Sequence, residues 1–406
     1  MININMEVQR VVPLVNKDAL TLVMFRYVRP KSGITVPIEI NSVAELKEAF
    51  EDPSTNEVQE FRELLIAEYL LNSNVNLLCY SVGTPGPILE ADITAIEDQE
   101  ALAYKFVIAP YVFLDTDDYT TNGLDLLVQH CKTKDVQLFI DLEPFVASTT
   151  IGTLVGQFSD DASSKLELFI NSGFIIVDTA YTLPTNISLS EAYLASDGSY
   201  ADSTDYVGIP SSIIALTRKA KVVMLGKPWL PIAGEDNGKV PEASTLFRTF
   251  TTAEKEEFQA ANVNVLLTRV GVGHLFVSQN TMFPAESEDT NNLLLRSHVI
   301  TEALWIKNKL YKIAQTLEYK PNIQKTWDLA KLKIAKLLKP LKSVDGIKDF
   351  NVYCGRNITM TNQDILDNKL IAIVNYFPTG VVENITFYVT IQEAVNDANV
   401  TVGGDL

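Results

Sequence analysis

Two nearly unbroken apolar runs near the start of the chain, Ala19–Val28 and Val75–Val82, predict buried strands. A strand that is apolar on both faces belongs inside a sheet and not at its edge. Between the two runs, Ser42 is followed three residues later by Glu45, which is the spacing of a capping box at the start of a helix. The helices expected before the second strand cover 43–50 and 58–71.

The middle of the chain alternates short apolar runs with helix-like segments. Strands are predicted over 106–109, 136–141, 174–177 and 263–268, and helices over 123–133, 165–172 and 251–261. This alternation predicts an α/β sheet with parallel strand pairs. A Ser/Asp/Thr/Gly-rich stretch over 182–209 predicts a long surface loop. After it, Ser211 or Ser212 is the expected N-cap of the next helix.

The character of the sequence changes after Pro284. Long helices are predicted over 291–317 and 323–339, followed by strands over 349–354 and 370–376. The last regular segment, 384–393, alternates almost perfectly, and its apolar positions are Ile385, Phe387, Val389 and Ile391. A strand isolated at the chain end has unpaired backbone groups that need a partner.

The segment boundaries suggest two domains flanked by two extended arms. The N-terminal arm covers 1–18 and alternates loosely, with apolar side chains at Ile4, Met6 and Val8. An α/β domain is expected over 19–285, in an N-terminal part (19–103) and a central part (104–285). An α+β domain over 286–383 and a C-terminal arm over 384–406 complete the prediction, which at 406 residues fits ordinary domain sizes.

The charge of the chain is unevenly distributed. The formal net charge is −18, which argues against a nucleic-acid binder because an acidic protein repels the phosphate backbone. Residues 301–350, however, hold 11 Lys and 5 acidic residues and no Arg. On the predicted 323–339 helix, Lys325, Lys336 and Lys339 lie opposite an apolar face, and Lys331 and Lys333 flank them. These lysines form either a docking surface or a solvated basic face.

Signatures of enzymes and of metal sites are sparse. The chain has no phosphate-binding loop, no nucleophile elbow and no zinc-protease motif, and its three cysteines lie in apolar surroundings that favour buried thiols. The sharpest catalytic candidates are Asp141 and Glu143, placed after a strand as in a carboxylate-dependent glycoside hydrolase. The other interpretation gives Asp141 a structural role at the strand end. No cofactor or metal is expected, and no apolar run has the length of a membrane span.

Several motifs, taken in order, resemble those of contractile tail sheath proteins. The stretch Ile38–Leu46 with Phe50 resembles the family's opening, although Glu51 replaces its usual Gly. The stretch Leu138–Pro144 is similar to its apolar strand followed by Asp and Pro. The remaining matching segments are Ile209–Arg218, Gly226–Gly234, Thr251–Val265, Gly271–Ser278, Trp327–Leu338, Val344–Val352, Thr361–Ile365 and Glu383–Val389. Gly271–Ser278 lacks the family's Trp, Gly and Arg, so only the ordered set is specific.

The resemblance implies a structural, non-enzymatic subunit with a mixed-sheet core, a C-terminal α+β domain and strand-forming arms. Such subunits polymerise into a helical tube around an inner tail tube, and the arms add strands to neighbouring subunits. The implied partners are other copies of the chain, the tail tube, the baseplate and the tail terminator, without nucleic acid or membrane insertion. The implied location is the virion tail, assembled in the bacterial host cytoplasm. In this setting the five lysines would face an acidic tube.

Overall fold

The computed structural model describes residues 20–51, 58–82, 87–97, 104–114, 123–142, 166–170, 173–176, 206–241, 243–246, 249–283 and 293–380. Both predicted arms, Glu143 and most of the predicted 182–209 loop lie outside these residues. Strands and helices are numbered separately in chain order. The strands are β1 (Thr21–Phe25), β2 (Ile38–Ile40), β3 (Leu77–Ser81), β4 (Phe106–Leu114), β5 (Gln137–Leu142), β6 (Leu166–Ile170), β7 (Gly173–Ile176), β8 (Tyr206–Gly208), β9 (Ala243–Leu246), β10 (Leu266–Arg269), β11 (Gly273–Phe276), β12 (Ile347–Cys354) and β13 (Ala372–Pro378).

The helices alternate with the strands in the first part of the chain, and the last part contains one pair of long helices. They are α1 (Val43–Ala49), α2 (Val58–Asn72), α3 (Glu90–Glu97), α4 (Leu124–Lys134), α5 (Ser211–Met224), α6 (Gly234–Asn237), α7 (Thr252–Ala260), α8 (Ser297–Gln315), α9 (Gln324–Ser343) and α10 (Asn362–Leu366). The predicted α/β alternation is confirmed. The last long helix runs past its predicted end, through Pro340, because Leu341 is still buried in the core beneath it.

A six-stranded mixed sheet forms the centre of the α/β body, in the order β2-β3-β1-β4-β5-β6. Its neighbours are parallel except for β2, which runs antiparallel to β3. The alternating residues of β1 divide between two cores. Val23 and Phe25 pack with α1, α2 and α5, whereas Leu22 and Met24 pack with α3 and α4. This burial on both faces explains why β1 is almost continuously apolar.

The helix predicted over 165–172 is wrong, because Leu166–Ile170 form the edge strand β6, parallel to β5. Leu166 and Leu168 face one core and Phe169 faces the other, so the segment has strand periodicity. Glu167 is fully buried on the same side as Phe169. A charged side chain is costly to bury there unless another part of the chain supplies a partner for it.

Of the two helix caps predicted above, the one at Ser42 is confirmed and the one at Ser211 or Ser212 is wrong. Ser42 accepts a hydrogen bond from the Glu45 N–H, and Thr251 forms a full capping box with Glu254. Helix α5 instead has Pro210 at its N-cap, and Ser211 and Ser212 are buried in its first turn. A carboxylate from β5 accepts the bonds that a capping serine would have accepted, as described below.

The C-terminal unit (residues 297–380) consists of α8, α9, α10 and an antiparallel hairpin of β12 and β13. Ile306 from α8, Ile334 and Leu338 from α9, and Ile347 from β12 form its main core. The inward positions of β12 and β13 pack on this core, which places the two long helices on one face of the hairpin. The first two turns of α8 are buried against the α/β body.

Candidate functional site: surfaces of the C-terminal unit

The β12–β13 hairpin is a sheet with two open edges. Its register pairs Asn351 with Asn375 and Tyr353 with Ile373, and no other described strand pairs with either partner. The outer edges therefore carry rows of backbone N–H and C=O groups that can accept further strands. A two-stranded sheet is marginal alone, and this one depends on the helices beneath it.

The outward face of the hairpin is partly apolar. Tyr353, Ile373 and Phe377 point away from the helices and are 44%, 46% and 54% exposed, respectively. The residues between them, such as Val352 and Val374, point inward to the core. The hairpin thus has the alternation of a sheet covered on one side only.

An open groove of about 590 Å³ runs along the hairpin on the side of β13. Ala372 and Val374 of β13 line it together with Leu310, Tyr311 and Ala314 of α8 and Ala330 and Ile334 of α9. Of the two hairpin strands, only β13 contributes to this lining. The groove is therefore an extension of the core into the space beneath the open edge of β13. It has the position that the inward side chains of an added strand would fill.

Three lysines on the outer surface of α9 form what we call the lysine stripe: Lys325, Lys336 and Lys339. At 100° per residue they fall on one side of the helix, opposite Ala330 and Ile334. All three are exposed, and none has an ion-pair partner among the described residues. Leu332, which is 65% exposed, lies in the middle of the stripe. The three lysines therefore share one exposed side of α9, and Leu332 lies at its centre.

The other two predicted lysines have partners within the chain. The Lys331 Nζ lies 2.9 Å from Asp328 Oδ1, and the Lys333 Nζ donates to Thr316 Oγ1 at 2.5 Å. They flank the lysine stripe as the helical spacing indicates. The apolar face of α9 carries Trp327, Ala330, Ile334 and Leu338, of which Leu338 is fully buried, whereas Ile323 is exposed.

Asp141, the candidate catalytic acid, has a structural role at the start of α5. Its carboxylate is 3% exposed and accepts hydrogen bonds from the Ser212 N–H (3.2 Å) and the Ser212 hydroxyl at the start of α5. Burial raises the pKa of Asp141 to about 7, against the lowering effect of these bonds. A carboxylate closed in this way is not available to a glycoside, and Glu143 lies outside the described residues.

Glu63 has the same function at another strand end. Its two oxygens accept the N–H groups of Arg26, Tyr27 and Val28 at 2.9, 2.9 and 3.0 Å, where the chain leaves β1. Burial raises the pKa of Glu63 to about 7. Both side chains therefore satisfy backbone donors that have left the hydrogen-bond pattern of the sheet or lie at the start of a helix.

His130 and the three cysteines, which could in principle serve catalysis or metal binding, are also buried. The His130 Nδ1 lies 2.8 Å from Glu97 Oε1, and the Nε2 of His130 meets the Tyr104 hydroxyl. The three cysteines are buried free thiols, as the sequence predicts, and burial raises the pKa of each. Within the described residues, no group of three or more metal-ligating side chains occurs. No described helix has the length and apolarity of a membrane span.

The sequence matches no protein-family model and no curated protein, but solved structures resemble the fold. A chain of the anti-feeding prophage helical sheath in its contracted state has a TM-score of 0.65 at 16% identity, covering 92% of this chain and 94% of that chain. A chain of the PVC sheath complex, an extracellular contractile injection system in its contracted state, has a TM-score of 0.65 at 14% identity, with 92% of each chain covered.

A third similar structure is the sheath tail protein from Desulfitobacterium hafniense, with a TM-score of 0.56 at 10% identity, covering 93% of this chain and 100% of that chain. At such low identity the likeness establishes the fold. The resemblance first seen in the ordered motifs is therefore confirmed at the level of fold, over almost the whole chain.

The buried carboxyl group of Glu302 on α8 predicts a pH dependence of stability. Glu302 is 1% exposed, its Oε1 has no hydrogen-bond partner in the described part of the chain, and burial raises its pKa from 4.5 to about 8. The folded state therefore binds more protons than the unfolded state between these two values, so the free energy of unfolding falls as pH rises from about 4.5 to about 8. Glu302→Gln, which stays neutral, is expected to flatten this decline.

Thermal unfolding of the wild type and the variant between pH 5 and pH 8 measures the effect. Glu63 and Asp141 keep part of the slope in the variant, because their raised pKa values act in the same direction. Glu256→Gln, at an exposed position on α7, is the control and should leave the slope unchanged. An equal slope in all three proteins would contradict the role of Glu302.

Proposed function

We propose that this chain is the structural subunit of a contractile sheath. It polymerises into a helical tube around an inner tube, and contraction of the sheath drives that tube through a cell envelope. The observation that carries the proposal is the open-edged β12–β13 hairpin with the apolar groove beneath β13, on a chain with the fold of sheath subunits. The proposed role is mechanical and requires neither a catalytic group nor a cofactor.

Subunits are joined by strand addition in this proposal. The segment 384–391 of one copy pairs with the β13 edge of another, and Ile385, Phe387, Val389 and Ile391 point into the groove. Strand residues rise about 3.3 Å each, so this segment and the seven-residue β13 have similar lengths of about 25 Å. The N-terminal segment, with Ile4, Met6 and Val8, is proposed to add to the other open edge, that of β12.

Such contacts join unlike surfaces, an arm on one copy and a hairpin on the next. A heterologous contact of this kind closes into a ring or continues as a helix, depending on the rotation between the copies. An open helix is the arrangement that a sheath requires. Main-chain hydrogen bonds along the added strand supply affinity, and the groove selects the side chains.

The lysine stripe is proposed to face the inner tube. Three exposed lysines, with Leu332 between Lys325 and Lys336, suit an acidic protein surface. Each exposed ion pair contributes only about 0.2–1 kcal/mol and weakens with salt. The small free energies of these ion pairs add up over many copies of the subunit, and each single contact can still break when the sheath moves. Lys331 and Lys333 flank this surface and contribute to its positive potential.

The ends of the sheath are proposed to meet other proteins of the particle. Two of the similar chains come from structures of an anti-feeding prophage baseplate, which supports a baseplate at one end. A tail terminator is proposed at the other end. We further propose that the chain assembles in the bacterial cytoplasm and functions in the tail of a phage or of a phage-tail-like particle. The hydrolase alternative is not retained, because Asp141 is closed by Ser212.

Removal of residues 384–406 tests strand addition. The truncated chain is expected to fold, because the described cores include none of these residues, but not to polymerise. Circular dichroism and size-exclusion chromatography would follow folding, and negative-stain microscopy would compare tube formation with the full-length chain. Normal tubes from the truncated chain would contradict the proposal.

Filling the groove tests the site of strand addition. Ala314→Trp places a large side chain in the groove, and the expected result is a folded monomer with strongly reduced polymerisation. Gln315→Trp adds the same side chain at the next exposed position, outside the groove, and should polymerise like the wild type. Sedimentation of polymer at several protein concentrations measures the difference. Equal polymerisation of the two variants would exclude the groove as the docking site.

Charge reversal tests the lysine stripe. Lys336→Glu with Lys339→Glu should leave sheath self-assembly intact and abolish co-sedimentation with tube at low salt. The matched control is Lys221→Glu with Lys227→Glu, which reverses two exposed charges on the α/β body and changes the net charge equally. If both double variants bind tube like the wild type, the lysine stripe does not face the tube.

A further inference from the structure

The first two turns of α8 connect the C-terminal unit to the α/β body through buried polar side chains. Ser297, His298, Thr301 and Glu302 are all buried there, although they carry polar or charged groups. A helix that packs on a sheet through apolar contacts alone would have no need of such residues. Their partners therefore decide how the unit sits on the body.

The Ser297 hydroxyl lies between two buried charges from different elements of the body. It accepts a hydrogen bond from the Lys219 Nζ of α5 at 2.5 Å and donates one to the Glu167 Oε1 of β6. Glu167, Lys219 and Ser297 all have 0% exposure. One hydroxyl group thus joins a strand and a helix of the body to the first residue of α8.

Two further chains of hydrogen bonds extend this junction. The Gln137 Nε2 of β5 donates to Glu167 Oε1 at 2.9 Å, and the Thr301 hydroxyl donates to Gln137 Oε1 at 2.8 Å. On the other side, the Ser297 N–H donates to the Gln279 carbonyl at 3.0 Å. Residues one turn apart on α8 are therefore bonded to adjacent strands of the sheet. This fixes both the position of the helix and its rotation about its axis.

The energetics of the junction favour a role in orientation over one in stability. Burial raises the pKa of Glu167 and lowers that of Lys219, and in each case the charge of the other residue opposes the shift. Buried charges are costly to desolvate, and apolar residues of similar size often stabilise a core equally well. Apolar contacts, however, tolerate sliding and rotation, whereas a bridged ion pair permits one geometry.

We propose that Ser297, held between Lys219 and Glu167, is an orientation lock that fixes the C-terminal unit on the α/β body. The lock determines the direction in which the open edges of the β12–β13 hairpin point relative to the body. The consequence for assembly rests on the proposed function. A tube of copies joined through those edges would have a uniform diameter only if the body has the same orientation on the C-terminal unit in every copy.

Ser297→Ala tests the lock, because it removes the bridging hydroxyl without adding volume. Hydrogen exchange of the amides at 297–306 is expected to accelerate about tenfold to a hundredfold, the range that corresponds to losing hydrogen bonds to charged groups. Tubes should still form, since the hairpin edges and the groove are unchanged, but with a broadened distribution of diameters in electron micrographs.

Thr217→Val is the matched control, because it removes a buried hydroxyl of α5 that bonds only a carbonyl of its own helix in the described structure, Ile214 O at 2.7 Å. It should change neither the exchange at 297–306 nor the diameters. Ser297→Thr keeps a hydroxyl and should restore the wild-type behaviour in part. If Ser297→Ala does not fold, Glu167→Gln with Lys219→Met removes the charges instead and should give the same changes.

The result that overturns the lock is wild-type exchange at 297–306 in Ser297→Ala, together with tubes of uniform diameter. A different result would contradict the proposed function. If the wild-type chain forms no tubes under any condition, that function is contradicted, whereas the exchange measurement still decides whether Ser297 locks α8 to the body.

Discussion

Exclusion of water from both faces of the six-stranded sheet is the constraint on which the rest of the structure depends. Because α1, α2 and α5 cover one face and α3 and α4 the other, every polar group inside must find its partner within the protein. Glu63 accepts three backbone N–H groups beyond β1, and Asp141 accepts those at the start of α5. The same constraint places Lys219 opposite Glu167. Acidic side chains that suggest catalysis in the sequence are here parts of the scaffold.

The C-terminal unit follows the opposite rule, since its sheet is covered on one side only. Phe350 and Val352 complete a core with the helices, but Tyr353, Ile373 and Phe377 face outward. The groove beside β13 continues that core without filling it. The sheet of the body is thus covered on both faces by helices of the same chain, whereas the C-terminal unit presents open edges and an open apolar groove. Both belong to one chain whose fold is that of sheath subunits.

The sequence predicts those features that depend on neighbouring residues. The strands β1 and β3 are recognisable because their own residues are apolar on both faces, and the lysine stripe follows from helical spacing within α9. Prediction from the sequence fails where the structure of a segment depends on a residue that is distant in the chain. Strand β6 is mispredicted as a helix, and its buried Glu167 depends on Gln137, Lys219 and Ser297, which are all distant in sequence. The cap of α5 is misassigned for the same reason, since Asp141 comes from another strand.

The orientation lock and the open hairpin act on the same mechanical problem. In the proposed assembly, a strand added to β13 would transmit force to the C-terminal unit, and the unit would transmit it to the body through α8. Hydrophobic contact alone resists separation but yields to rotation, because apolar surfaces have no preferred direction. Hydrogen bonds are directional, so the bonds from Ser297 and Thr301 to two neighbouring strands resist that rotation. In the proposed assembly, the buried charges of Glu167 and Lys219 lie where a subunit would most need a fixed angle.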